Sequence, residues 1–170
     1  MKSVAILLAT TLLIAGCAKS SPDVAVSPGF TFHTLTQNQT LHTAMPALNR
    51  CGEEQPNAER SCPLKETLIA GAQSQDAAAL FDRSGFRELR VSWETADYAR
   101  VTHDLTQAYG EPRSLETKSL RTAHYTTVDN IVTTWCFSGG QLTLEKYADQ
   151  FTVTRLSYLS SPRTAKSTSI

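Results

Sequence analysis

Hydrophobic and polar positions divide the chain into four kinds of stretch. Behind Lys2, Val4 to Ala15 is uncharged and mostly apolar, without strand or helix alternation. Residues 18–29 are polar and rich in turn formers. From 30 to 160 the pattern becomes periodic, and from 161 to 170 it lapses again into Ser, Thr, Lys and Arg. Within the periodic part, Tyr98, Val101, Leu105 and Ala108 recur at helical spacing and predict a helix over 96–109. Thr95 and Asp97 stand at its start, and Gly110 and Pro112 stop it. Leu41, Ala44, Met45 and Leu48 predict a second helix over 36–48, with Pro46 straining its last turn. Strands are predicted at 86–93, where Leu89, Val91 and Trp93 share a face, and at 122–128, 131–137, 141–147 and 151–159. Leu64–Phe81 is the ambiguous stretch. Its alanines suit a helix, and its short apolar runs do not decide by period, so the strand reading rests on the layout of its neighbours.

That layout has an internal echo. Leu80-Phe81-Asp82-Arg83-Ser84-Gly85-Phe86 and Cys136-Phe137-Ser138-Gly139-Gly140-Gln141-Leu142 each read as a strand end, a glycine turn and a new alternating strand, and each follows a helix. The chain can therefore be read as two diverged helix-plus-hairpin units, 30–94 and 95–160. The fold class expected is α+β: an antiparallel sheet with two helices packed on one face. Trp93, Leu105, Trp135 and Phe137 are the expected core between them.

The apolar start has a specific meaning. It is too short for a span, which needs roughly 20 apolar residues, but it fits a secretory signal. Its end, Leu13-Ile14-Ala15-Gly16-Cys17, resembles the lipobox of bacterial lipoproteins. The resemblance implies cleavage that removes residues 1–16, diacylglycerol on the Cys17 sulfur, and a further acyl chain on its new amino group. Each buried methylene contributes about 0.8 kcal/mol, so two or three long chains hold the protein on a membrane. Residues 17–29 then form a lipidated tether, 30–160 a single domain and 161–170 a loose tail. Ala18 stands where Asp would retain such a lipoprotein at the inner membrane, which points to the outer membrane and its periplasmic face.

Charge excludes more than it suggests. Lys2 leaves with the signal, so 15 basic residues face 16 acidic ones, with no basic footprint for nucleic acid. Cys51 and Cys62 flank a polar stretch, and in an oxidising periplasm a disulfide is the simplest reading, worth a little under about 3 kcal/mol. No His or Cys stands beside them at metal-ligand spacing, so no metal is expected. Cys136 is left over, and its place inside an apolar strand suggests a buried, inert thiol.

The sequence holds no recognisable catalytic constellation: no nucleophile elbow, phosphate loop, His-Glu-x-x-His or Cys-x-x-Cys. His33, His42, His103 and His124 have no carboxylate cluster at a useful spacing, and Glu53, Glu54 and Glu59 lie in the loop bounded by the two cysteines. No cofactor is implied. A docking face is suggested instead by Thr122, His124, Thr126, Thr143, Glu145 and Tyr147, which would line the sheet face turned away from the helices. The helix, the run Gln107-Ala108-Tyr109-Gly110-Glu111-Pro112 and Trp135 resemble the barrel-assembly lipoproteins of the SmpA/OmlA type over roughly 96–147. The paired layout resembles the β-lactamase inhibitory protein. The expectation is a non-catalytic envelope module that binds another envelope protein. The alternative is an inhibitor of an envelope or foreign hydrolase, acting through loops such as 51–62 or 113–121.

Overall fold

Two-residue alternation builds most of the molecule, and tight turns set its order. The computed structural model describes residues 29–55, 59–121 and 127–161. The described chain opens with a small hairpin, β1 (Thr31–Phe32) and β2 (Leu35–Thr36), then a helical turn, α1 (Leu41–Ala44), that runs into a 3-10 turn (Met45–Ala47). After β3 (Arg60–Pro63) comes a second small hairpin, β4 (Leu68–Ile69) and β5 (Ala72–Gln73). A long hairpin follows, β6 (Asp76–Asp82) and β7 (Gly85–Glu94). A 3-10 turn (Thr95–Asp97) leads into α2 (Tyr98–Tyr109). The chain then runs through β8 (Ser114–Arg121), β9 (Thr127–Phe137), β10 (Gly140–Glu145) and β11 (Val153–Ser160).

Seven of these strands form one antiparallel sheet in the order β3-β6-β7-β11-β10-β9-β8. The last strand of the first half, β7, pairs with the last strand of the second, β11, so the halves 30–94 and 95–160 meet along the middle of the sheet. The fold is α+β, with both helices on one face. Alternation decides which side chains enter the core. Leu89, Val91 and Trp93 of β7 meet Leu142 and Leu144 of β10, Leu156 and Tyr158 of β11, and Val101 and Leu105 of α2. Trp135 and Phe137 join them, and the Trp135 indole N–H donates to the Gly110 carbonyl at 2.9 Å, tying the helix stop to the strand.

Leu64–Phe81 is built of strands, the β4–β5 hairpin and β6, as the layout of its neighbours suggested. Several other sequence expectations change. The helix expected over 36–48 is reduced to Leu41–Ala44 plus a 3-10 turn, because Pro46 has no N–H to continue the helical bonds. Ala44 and Leu48 of its stripe are buried, but Met45 is 54% exposed. The segment 113–121, expected as a protruding loop, is mostly strand β8. β10 ends at Glu145, two residues before the expected end at Tyr147. Cys136 is disulfide-bonded rather than an inert buried thiol. The pleat places it outside the core: Trp135 and Phe137 point inward, so Cys136 faces the other way and is only half-buried.

Candidate functional site

A well-formed concavity is built by the small elements laid on the sheet. The β1–β2 hairpin turns through His33 and Thr34 in two residues, and His33 adopts a positive φ of 51° to make the turn. Few non-glycine residues take that conformation. Opposite the hairpin stands α1, whose start is fixed by a reciprocal cap. The Thr40 hydroxyl accepts from the Thr43 N–H, and the Thr43 hydroxyl accepts from the Thr40 N–H at 3.2 Å. Gln39 braces both, accepting from the Thr36 N–H at 3.0 Å and donating to the Thr43 carbonyl at 3.0 Å. The third wall follows β3. Leu64 bridges to Leu48, the Lys65 N–H donates to the Ala47 carbonyl at 3.0 Å, and the Lys65 ammonium donates to the Pro46 carbonyl at 2.8 Å.

These walls enclose an open cleft of about 430 Å³. Phe32, Leu35, Ala44, Leu64 and Ile69 form its apolar lining, and all five are buried. Polar groups stand among the other lining residues: Gln39, Thr43, Lys65 and a His33–Glu66 pair with 2.9 Å between Nδ1 and Oε2. The pair is well exposed, at 38% and 55%, so it lies in high dielectric and its attraction is modest. A few hundred cubic ångströms with an apolar lining and a few placed polar groups is the usual form of a site that takes a small apolar group. Among the described residues no cluster of three or more His, Cys, Asp or Glu is arranged to hold a metal.

Residues singled out from the sequence lie elsewhere. Cys17, Thr122, His124 and Thr126 fall outside the described residues. Thr143 and Glu145 do share the sheet face turned away from the helices, half-buried, while Leu142 and Leu144 between them point into the core. Their surroundings are polar: Gln141 donates to the Thr143 hydroxyl at 3.1 Å, and Arg155 stands opposite Glu145 in register and pairs with Asp149. Tyr147 lies past the strand end. The Asn130 side chain grips its backbone on both sides, accepting from its N–H at 2.8 Å and donating to its carbonyl at 3.0 Å. Its ring meets Phe151 edge-on, with centroids 5.6 Å apart.

Cys51 and Cys62 are joined, with sulfurs 2.09 Å apart. Their bridge lies beside the cleft rather than in it, on the segment that carries β3 into Leu64. The cleft residues His33 and Glu66 were missed by the sequence reading. The one local signal was the alternation Phe30-Thr31-Phe32 ahead of Leu35, which suits a hairpin, but His-Thr is not a usual hairpin turn.

No protein-family model, no curated protein and no solved structure matches this chain.

Proposed function

We propose that the chain is a lipid-anchored, non-catalytic binding module of the bacterial envelope, and that its cleft takes an apolar side chain of an envelope protein. The observation that carries this reading is the cleft: an apolar lining, polar groups beside it, and walls held by backbone hydrogen bonds from three segments. Such a pocket suits an anchor residue, since a few buried side chains dominate most protein–protein affinities. Pre-built walls reduce the ordering that binding requires. The proposed anchor at Cys17, with Ala18 after it, would hold the cleft at the periplasmic face of the outer membrane.

Ala47→Phe tests the cleft. Ala47 is half-buried and lines it, so a ring there fills empty space instead of displacing core. The expected result is an unchanged melting temperature and loss of the adduct formed in cells by a photo-crosslinking residue at Thr43. An adduct that survives Ala47→Phe undiminished refutes the cleft as the docking point.

The anchor is read by mass. The mature chain should begin at Cys17 with added acyl groups, and Cys17→Ala should abolish fatty-acid labelling. A second reading is favoured by the disulfide at Cys136. A thioether and a disulfide both need the sulfur, so a lipidated Cys17 cannot also be bridged. Intact mass with and without reduction separates an anchored chain from a bridged one, and a spectrum without acyl groups rejects the anchor.

A further inference from the structure

The sheet ends in two edges, and the chain treats them differently. At β3 the edge is covered by the chain's own segment 48–55. The Asn49 N–H donates to the Pro63 carbonyl at 2.8 Å, the Gly52 N–H donates to the Ser61 carbonyl at 2.9 Å, and the Cys51–Cys62 bridge fastens the two runs together. Pro63 itself withholds a donor. At the other edge β8 presents eight residues without a proline, and among the described residues no strand pairs with it beyond β9. Leu115, Glu116, Thr117, Lys118 and Ser119 are all exposed, so neither face of the strand is covered there, and Leu115 is 64% exposed. β10 stops opposite Val132, which leaves β8 and the first residues of β9 as a two-stranded ribbon beyond it. An uncovered edge of this length is a template for another strand.

Charge on β8 selects which strand. Glu116 and Lys118 lie opposite Val132 and Asn130 of β9, two residues apart and on one face of the sheet. When two copies of one strand pair antiparallel about a twofold axis, each residue keeps its face only if the axis passes a residue opposite itself. Centring on Glu116 sets two glutamates opposite each other, and centring on Lys118 sets two lysines opposite each other. Like charges directly opposite are unfavourable. Centring on Thr117 places Glu116 opposite the second copy's Lys118, and Lys118 opposite the second copy's Glu116. In the same register Leu115 meets Ser119, and Ser114 meets Leu120. A lysine on an edge strand ordinarily repels pairing, but here a glutamate two residues away makes the strand complementary to itself.

We propose that β8 is a self-association edge: two copies pair β8 to β8, antiparallel about Thr117, into one continuous sheet. The contact is small, so the dimer is reversible and depends on concentration. The reading is independent of the cleft.

The test uses the full chain in membranes and in detergent. Thr117→Cys should give a crosslinked dimer under mild oxidation. Leu115→Cys and Ser119→Cys should not, because neither stands opposite itself. Glu116→Lys or Lys118→Glu alone should weaken dimerisation about tenfold or more by sedimentation, since each converts two attractive pairs into two repulsive ones. Mixing these two variants should restore it, as the all-lysine edge then faces the all-glutamate edge. All five substitutions are at exposed positions, and circular dichroism checks that the sheet is intact. A chain that stays monomeric at every concentration overturns the proposal. So do equal crosslinking at 115, 117 and 119, or capture of a different protein at residue 117.

Discussion

Phe30→Ala should cost about 3–5 kcal/mol, the range for removing a buried aromatic ring. That is a large share of the roughly 5–15 kcal/mol that holds a domain together. Phe30 lies just ahead of β1, at the start of the described chain, yet it is 1% exposed and sits at the centre of an aromatic cluster. Its ring stacks on Tyr158 with centroids 3.7 Å apart, meets Phe137 edge-on at 5.3 Å, and lies 6.1 Å from Tyr109 and 6.4 Å from Phe86. The Phe30 N–H donates to the Gln37 side chain at 3.1 Å, and the Gln37 N–H donates back to the Phe30 carbonyl at 3.2 Å, which locks the ring in place. The surrounding rings belong to α2 and to β7, β9 and β11, so they do not close easily over the gap. Burial also pushes the Tyr158 phenol up to about 12. Phe30→Leu keeps most of the volume and should cost clearly less. Urea unfolding of both variants checks this, and a loss below about 1 kcal/mol for Phe30→Ala would contradict the central role of the ring.

How much of this was legible depends on how local each signal is. α2 was readable because its buried residues, Val101 and Leu105, and its stop at Gly110 fall within one window. β9 and β10 were readable from β-branched and aromatic residues around the Gly139-Gly140 turn. β8 was not, since an edge strand wet on both faces shows no alternation: Ser-Leu-Glu-Thr-Lys-Ser-Leu-Arg reads as loop until its partner strand is known. The first helix was overread because Leu41 and Ala44 supply one turn of periodicity, which the sequence continues through Met45 and the chain does not. The cleft was invisible for a different reason. His33 and Glu66 come from separate segments, and the apolar lining residues among Phe32, Leu35, Ala44, Leu64 and Ile69 each look like ordinary core. Of the docking face expected on the sheet, Thr143 and Glu145 lie together because strand period alone fixes them, while Tyr147 sits beyond the reach of that rule.

Removing the Cys51–Cys62 bridge should be the other large loss, about 2–5 kcal/mol, the usual cost of losing a native disulfide from a small domain. The bridge spans 11 residues and brings the two Cα atoms to 4.1 Å. By the chain-entropy argument a loop of that size contributes a little under about 3 kcal/mol, through the freedom it removes from the unfolded chain. Two features of the folded state add to this. Cys62 is fully buried against the core, and the bridge pins segment 48–55 along β3, where it satisfies the Pro63 and Ser61 carbonyls. Without it, segment 48–55 is free to peel away, β3 becomes a second open edge, and the Leu48–Leu64 wall of the cleft loosens. Cys51→Ala with Cys62→Ala should therefore lower the melting temperature, make the chain more prone to aggregate, and weaken any adduct formed at the cleft. Replacing both residues isolates this bridge from the disulfide at Cys136, which reductant would also break. A double variant that melts and stays soluble like the wild type would show that the hydrogen bonds along β3 hold the edge without help.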